Sequence, residues 1–142
     1  MAELIEFPDA EDLFRRGINA VAPELLGAGV TAYVKLPPTF PERLVLVTRT
    51  GGIARDMVTD APMLSFDCYA QSRGSADEGE AVALAGRLRS WCASLERDGE
   101  LLDVPVYEVT GVGGPYRNPD PRAPKFARFT FTITAALRGQ VI

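Results

Sequence analysis

The sequence predicts one α+β domain spanning residues 1–142, built as an antiparallel or mixed sheet of four to five strands with two α-helices packed on one face. Two observations lead to this class. Strand-like runs occur in groups with hairpin-like links, rather than alternating one by one with helices. Two other segments carry apolar residues at helical spacing. The length of 142 residues suits a single domain.

The first predicted element is a helix over about Asp9 to Ala22. Asp9 is placed to cap the free N–H groups, and the acidic first turn complements the helix dipole. One face of this helix is apolar at i, i+3, i+4 spacing. Its members are Ala10, Leu13, Phe14, Ile18 and Val21. We expect Pro23 and the GAG stretch after it to end the helix.

Three strands follow in the prediction. VTAYVKL (Val30 to Leu36) and ERLVLVTRT (Glu42 to Thr50) are rich in β-branched residues and flank a stiff PPTFP link. The third run, PMLSFDCYA, alternates, which is typical of a half-buried strand. Its two faces are Leu64, Phe66, Cys68 and Ala70 on one side, and Ser65, Asp67 and Tyr69 on the other.

The second helix is predicted from near Ser75 to about Arg97. Ser75 with Glu78 three residues later forms a capping-box pattern, and Asp98-Gly99 closes the C-terminal end. An unbroken apolar stripe at helical spacing indicates the buried face. It consists of Ala81, Leu84, Ala85, Leu88, Trp91, Cys92 and Leu95.

After this helix, VPVYEVTGV reads as a strand, GGPYRNPDPRAPK as a loop and FARFTFTITAALR as a long strand. The last strand alternates between an apolar face and a Thr/Arg face. The apolar face holds Phe129, Phe131, Ile133, Ala135 and Leu137, and the other holds Arg128, Thr130, Thr132, Thr134 and Arg138. We expect the Thr/Arg face to meet water or a neighbouring chain.

Composition argues against several classes of protein. The chain has no histidine, so the commonest general base and metal ligand are missing. Cys68 and Cys92 are expected to be reduced core residues. No apolar run approaches the about 20 residues of a membrane helix, and the acidic start differs from a secretory signal. The net charge of −4 is unfavourable for tight binding of nucleic acid.

Charge is distributed unevenly along the chain. The first twelve residues contain five acids and no cation, whereas the segment from Arg117 onward contains five cations and only Asp120 as an acid. An acidic head and a basic tail suit head-to-tail association between copies. Solvated faces with helix-dipole matching are the simpler interpretation.

No motif assigns a reaction. TGG at Thr50 and TGVGGP at Thr110 lack the spacing of phosphate-binding loops, and Pro115 removes one N–H donor. The acids Asp56, Asp60, Asp67 and Glu108 have no spacing typical of a metal site. Ser72 and Ser75 have no identifiable base. We therefore assign no catalytic residue, no metal and no cofactor.

Two long irregular segments remain, Thr50 to Pro62 and Gly111 to Lys125. Arg49 and Arg55 belong to the first region, and Arg117 and Arg122 to the second. Arginine is favoured at protein interfaces, because its planar fork pairs bidentately with carboxylates and stacks on rings. Loops this long in a compact domain are usually functional or disordered.

Taken together in order and spacing, three stretches resemble the tail terminator (tail completion) proteins of long-tailed, siphovirus-type bacteriophages, particularly those of actinobacteria. The stretches are RLVLVTRTGGIARDMVTDAPMLSFDCYAQS, DEGEAVALAGRLRSWCASL and VYEVTGVGGPYRNPDPRAPKFARFTFTITAALR. They cover about Leu44 to Arg138. The residues that match the family pattern are Arg49, Gly51, Gly52, Arg55, Asp56, Val58, Thr59, Asp60, Pro62, Gly113, Gly114, Pro115, Pro119, Asp120, Pro121, Arg128, Phe129 and Phe131.

The resemblance implies a virion protein, made in the host cytoplasm, that forms a ring of usually six copies on the head-proximal end of the tail tube. Such a ring stops polymerisation of the major tail protein and joins the tail to a head-side neck protein, with DNA passing through its lumen. The implied assembly residues are Arg49, Arg55, Asp56, Asp60, Tyr116, Arg117 and Arg122.

Three alternatives remain open at this stage. One is another neck component, such as a head-closure or connector-completion subunit. A second is a cytosolic module that binds a small ligand between the rings of Tyr69, Tyr107 and Tyr116. The third is an enzyme that relies on carboxylates alone.

Overall fold

The computed structural model describes residues 2–142, which fold as two helices and a curled mixed β-sheet with a separate two-stranded ribbon. The elements are β1 (Ile5–Glu6), α1 (Ala10–Leu25), β2 (Val30–Tyr33), β3 (Arg43–Gly51), β4 (Thr59–Asp60), β5 (Met63–Ser72), β6 (Ser75–Ala76), α2 (Glu78–Asp98), β7 (Glu100–Leu101), β8 (Val104–Arg117), β9 (Ala127–Arg138) and β10 (Gln140–Val141). The α+β class is confirmed. The strand count exceeds the predicted four to five, because short two-residue strands extend the sheet.

The main sheet has the strand order β2-β3-β5-β9-β8-β7, with β4 and β6 as short additions. All its pairings are antiparallel except that of β2 with β3. Both helices pack on the same face, as predicted. The ring of Phe14 from α1 lies 5.9 Å from that of Phe66 in β5, and Phe66 stacks on Phe131 of β9 at 4.9 Å. Each such ring is fully buried and contributes about 1.5–3 kcal/mol.

The parallel pairing of β2 and β3 corrects the hairpin-like link that the sequence suggested. β2 ends at Tyr33, so the predicted strand over Val30 to Leu36 is too long. Residues 34–42 instead cross the sheet face opposite the helices, where the Phe40 ring contacts Tyr69 at 5.7 Å and Phe126 at 5.2 Å. Burial of Phe40 on this face returns the chain to the start of β3, which makes the two strands parallel.

The same packing changes the prediction for β5. The alternation places Tyr69 with Ser65 and Asp67 on the polar face of a half-buried strand. In the structure the Tyr69 side chain is fully buried beneath the proline-rich segments. β5 is therefore covered on both faces at this end. The alternation correctly predicts which face of β5 Tyr69 lies on, but it does not show that another part of the chain covers that face.

Both helix boundaries differ from the prediction at one end. α1 continues past Pro23 to Leu25, because the Leu26 N–H still donates to the Ala22 carbonyl at 2.8 Å and Leu26 is buried. A proline in the last turn costs one backbone bond, which this burial offsets. The Asp9 cap is confirmed.

The capping box predicted for α2 is wrong. Asp77, not Ser75, caps the helix by accepting from the Glu80 N–H at 3.0 Å. Ser75 lies in β6, which pairs with the end of β5 in a tight hairpin. The predicted C-terminal end is confirmed, with Gly99 in the left-handed conformation that glycine tolerates.

β8 is longer than expected. It runs through the glycines and Tyr116 to Arg117, so the predicted loop over Gly111 to Lys125 is wrong for its first half. Register shifts at Gly111 to Gly113 and at Gly113 to Tyr116 let the strand continue as a bulged partner of β9. β9 matches its predicted range, and its apolar side from Phe131 to Leu137 is buried in the core. The expectation that its Thr/Arg face meets water or a neighbouring chain is wrong at Thr130, which is 2% exposed because Asp67 and Asn118 of the same chain bind its hydroxyl.

Candidate assembly interface

The seven predicted assembly residues lie at two opposite ends of the sheet. One end, the ribbon end, carries β1, β10 and residues 52–58, and Arg49, Arg55, Asp56 and Asp60 lie in or beside that loop. The other, the proline end, carries residues 34–42 and 118–126, and Tyr116, Arg117 and Arg122 lie in or beside the second of these segments. Asp60 pairs with Leu137 and Arg117 with Phe129 along the same strand β9. Eight residues of strand separate these positions by about 27 Å.

At the ribbon end, Arg49 and Asp60 bind each other. Arg49 Nη1 lies 3.0 Å from Asp60 Oδ2, and the Asp60 side chain is only 5% exposed. The same guanidinium donates to the carbonyls of Gly51 and Gly52. Arg49 and Asp60 therefore hold the base of loop 52–58. The residues of this region that are free to contact a partner are Arg55 and Asp56.

The neighbours Arg55 and Asp56 are exposed. Arg55 Nη2 lies 3.4 Å from Glu108 Oε2 on β8, in a pair whose side chains are both about half exposed. Asp56 Oδ1 accepts from the Val58 N–H at 3.0 Å. This backbone hydrogen bond is the largest cause that lowers the pKa of Asp56, so the carboxylate is charged at neutral pH.

Two apolar side chains at this end escaped the sequence reasoning. Ile53 is 83% exposed and Met57 is 84% exposed, on either side of Arg55 and Asp56. The sequence contains a sign of this exposure, since neither residue belongs to a periodic apolar pattern that would place it on a buried face. Two large apolar side chains exposed on one short loop are candidates for a contact surface.

At the proline end, Asp120 is the centre of a buried polar cluster. Its carboxylate accepts from the Tyr69 hydroxyl at 2.8 Å and from Arg122 Nε at 3.1 Å, and Arg128 Nη1 lies 3.6 Å away. Burial alone would raise the pKa of Asp120. The hydrogen bonds from Arg122 and Tyr69 and the charge of Arg128 outweigh it and lower that pKa to about 2.

The Asp120 cluster also acts on Tyr69. Burial, with the hydrogen bond to Asp120, raises the pKa of Tyr69 to about 12. The whole cluster fastens residues 118–126 to the sheet, and the Asn118 side chain extends it by donating to Thr130 Oγ1. The sequence analysis noted Asp120 as the one acid from Arg117 onward and as part of the family pattern, but it did not predict this cluster.

The two remaining predicted residues, Arg117 and Tyr116, end strand β8. Arg117 pairs with Glu78 of α2 and lies over the Phe129 ring at 5.7 Å. Tyr116 is 51% exposed. Arg122 is also exposed, although its guanidinium is bound to Asp120. At the proline end, Arg117 and Arg122 thus both bind acids of the same chain, while Tyr116 is exposed.

A shallow groove of about 360 Å³ opens between the two proline-rich segments. Apolar side chains form its floor and two cations form its edge. The lining residues are Pro38, Phe40, Arg122, Ala123, Pro124, Lys125 and Phe126. Its volume is at the small end for ligand pockets.

A second cavity, of about 330 Å³, lies at the ribbon end beside the start of α1. Charges of both signs line it, and its two arginines already have partners. Arg16 binds Asp12 at 2.9 Å, and Arg138 donates to the Tyr107 hydroxyl at 3.0 Å. No set of polar groups converges on one ligand here.

The three tyrosines of the ligand-binding alternative do not share a pocket. Tyr69 is buried near the proline end, Tyr107 lies at the ribbon end and Tyr116 is exposed at the end of β8. That part of the alternative is wrong, because β8 holds the latter two side chains far apart along one strand.

The terminal charges are arranged differently from the linear sequence. β1 pairs with β10, which brings the acidic N-terminal segment next to Arg138. Arg117, Arg122 and Arg128 lie at the other end of β9, where Glu78 and Asp120 bind them. The acidic head and the basic tail are therefore only partly separated in space, because Arg138 of the tail lies beside the acidic head.

Several other features can be stated for residues 2–142. Cys68 and Cys92 are buried free thiols, as expected, and burial raises the pKa of each well above its usual range. No group of three or more His, Cys, Asp or Glu side chains in this range is placed to hold a metal ion. None of the helices there is both long and apolar enough to cross a membrane.

The chain matches no protein-family model and no curated protein.

Proposed function

We propose that this chain is the subunit of a ring that caps the head-proximal end of a phage tail tube, stops tube polymerisation and mediates joining to the head. The observation that carries the proposal is the placement of the assembly residues in two separate, braced patches at opposite ends of one sheet. A subunit of a cyclic ring needs two different surfaces, one for each neighbour.

The bracing of these patches supports an assembly role. Asp60 holds Arg49 at the ribbon end, and Asp120 holds Arg122 and Arg128 at the proline end. Side chains that are fixed before binding lose little conformational entropy when a partner arrives. Two of the three stretches that resemble the terminator family, residues 43–72 and 106–138, contain the assembly residues of these two patches.

The proposed partners are further copies of this chain, the major tail tube protein and a head-side neck protein. DNA would pass through the lumen of the ring without sequence-specific contacts. The net charge of −4 is consistent with this passage, because a strongly cationic wall would retain the phosphates. The proposed location is the neck of the virion.

Electron microscopy of gold-labelled protein mixed with tail tubes tests the function. We expect the label at one tube end only, with growth arrested there. The variant carrying Arg55→Ala and Asp56→Ala should remain folded and lose this end labelling. The matched control replaces Arg97 and Asp98, an exposed Arg-Asp pair at the end of α2.

Label absent from the tubes would overturn the terminator function and favour a neck component on the head side. End labelling that survives in the Arg55/Asp56 variant would remove loop 52–58 from the assembly surface. Loss of labelling in the Arg97/Asp98 control as well would indicate a general effect of charge instead of a local contact.

A further inference from the structure

Loop 52–58 is a rigid projection with an apolar tip. Its base is fixed by the Arg49–Asp60 pair, and the Arg55 N–H donates to the Thr59 carbonyl at 2.8 Å across the loop. Ile53 and Met57 project from this frame with more than four-fifths of their surface exposed. Side chains on a frame that is ordered before binding lose less conformational entropy when they enter a partner's pocket.

The groove at the proline end has the complementary character. Its floor is apolar, formed in part by Phe40 and Phe126, whose rings pack at 5.2 Å. The Asp120 cluster fixes one wall of the groove. At about 360 Å³, the groove suits one or two aliphatic side chains better than a larger ligand.

Charge complements shape. Asp56, between Ile53 and Met57, forms no ion pair within residues 2–142. Lys125, at the edge of the groove, likewise forms none among these described residues. Outside these ion pairs, the projection thus has one anion, Asp56, and the groove one cation, Lys125, which favours their meeting in a specific register.

We propose that loop 52–58 of one copy seats its Ile53 and Met57 side chains in the groove of the next copy, with Asp56 facing Lys125. The loop and the groove lie at opposite ends of the same sheet, so they cannot meet within one chain. Each copy offers one of each, which makes the contact heterologous and able to close a ring. The inference rests on the ring function proposed above.

Disulfide trapping between two variants, each with one added cysteine, tests this contact. Ile53→Cys in one preparation and Pro124→Cys in another are mixed and oxidised, both alone at high concentration and with tail tubes. A disulfide needs Cα atoms within about 7 Å, so it reports direct contact. The native thiols at Cys68 and Cys92 are fully buried and give little background.

We expect the 53–124 cross-link to form roughly tenfold faster than a control pair of Ile53→Cys with Ala83→Cys, because docking raises the local thiol concentration. Ala83 is an exposed position on α2. Adding Asp56→Lys to the first partner should slow the cross-link, and adding Lys125→Asp to the second should restore it. Both substitutions are at exposed sites. Asp56→Lys also removes the acceptor of the Val58 N–H, so recovery with Lys125→Asp is what separates a lost charge contact from an altered loop.

The proposed contact is overturned if the 53–124 pair is no faster than the control under both conditions, or if 53–53 and 124–124 links form instead. Failure of the contact and failure of the function are distinguishable. Protein that caps tubes without the cross-link would leave the terminator function standing and remove this contact. Protein that cross-links but does not cap tubes would leave this contact standing and remove the terminator function.

Discussion

Arg49 and Asp60 face each other across the base of loop 52–58, with Nη1 of the arginine 3.0 Å from Oδ2 of the aspartate. The pair is asymmetric, since the Asp60 side chain is nearly buried while that of Arg49 is about one-third exposed. Asp60 also accepts from the Ala61 N–H at 3.0 Å. The Asp60 carboxylate therefore binds one group before loop 52–58, the Arg49 guanidinium, and one group after it, the Ala61 N–H.

Replacing Asp60 with alanine should lower the free energy of unfolding by about 2 kcal/mol. The loss is below that of a fully buried pair, because water reaches the remaining Arg49. Glu108→Ala is the control, since it breaks the half-exposed pair with Arg55 and should cost about 0.5 kcal/mol or less. Urea unfolding measures both, and equal losses would contradict the supporting role of Asp60.

Asp120 should make stability depend on pH in acid. Its pKa falls from the usual 3.8 in the unfolded chain to about 2 in the folded protein. A lowered pKa means that the stabilisation is present above about pH 4 and is lost as the pH falls through about 2. We expect a loss of roughly 1–2 kcal/mol over this range.

Unfolding by urea at several pH values between about 5 and 2 measures this loss, with Asp120→Asn as the comparison. The variant should be less stable at neutral pH and should show a shallower acid dependence than the native chain. An identical slope in both proteins would assign the acid dependence to other carboxylates.

Gly52 is required by a close backbone approach. It has a φ of +91°, and a Cβ there would lie 2.2 Å from the Ala61 carbonyl oxygen. Gly52→Ala should therefore destabilise the fold by more than about 2 kcal/mol and displace loop 52–58. Gly29 has a φ of +81° with open space around it, so Gly29→Ala should cost only about 1 kcal/mol.

Thermal unfolding of the two glycine variants separates conformational strain from the clash. Both substitutions impose an unfavourable φ, but only the one at Gly52 meets backbone atoms. Equal shifts in melting temperature would show that the approach of Ala61 relaxes freely. In that case the loop would be less rigid than its hydrogen bonds indicate.

Asn19 closes the outer edge of β2. Its side-chain amide accepts from the Ala32 N–H at 2.8 Å and donates to the Ala32 carbonyl at 3.2 Å, so it occupies the place of a neighbouring strand. Asn19→Ala should cost about 1–2 kcal/mol, because both backbone groups lose a partner. Hydrogen exchange at the Ala32 amide should become much faster, whereas exchange in the central strand β5 should become faster only in proportion to the loss of global stability.

Much of the fold follows from local pattern. The apolar stripe of α2 and the alternation of β9 predict those elements nearly to their ends, since each has one buried face and one periodicity. α1 and the strand at β8 are placed correctly, but their ends are wrong. The end of α1 was misjudged because burial of Leu26 offsets the cost of Pro23, and this burial depends on the rest of the fold.

The candidate interface is predictable only in part. Arg55 and Asp56 are exposed, as an assembly role requires, whereas Asp60 is buried and binds Arg49. Burial of an acid inside a charged loop has no local sequence signature. The groove was also missed, because its walls come from two segments about 85 residues apart in sequence that meet only through the packing of Phe40 on Phe126.

The sequence by itself determined the α+β class, the one buried face on each of the two helices and the two arginine-bearing segments. These features depend on the order and spacing of residues along the chain. Only the tertiary structure decided the parallel pairing of β2 with β3, the internal bonds of Asp60 and Asp120, and the placement of the two segments at opposite ends of β9. These features arise from contacts between distant residues, whose free energy depends on burial that no local pattern contains.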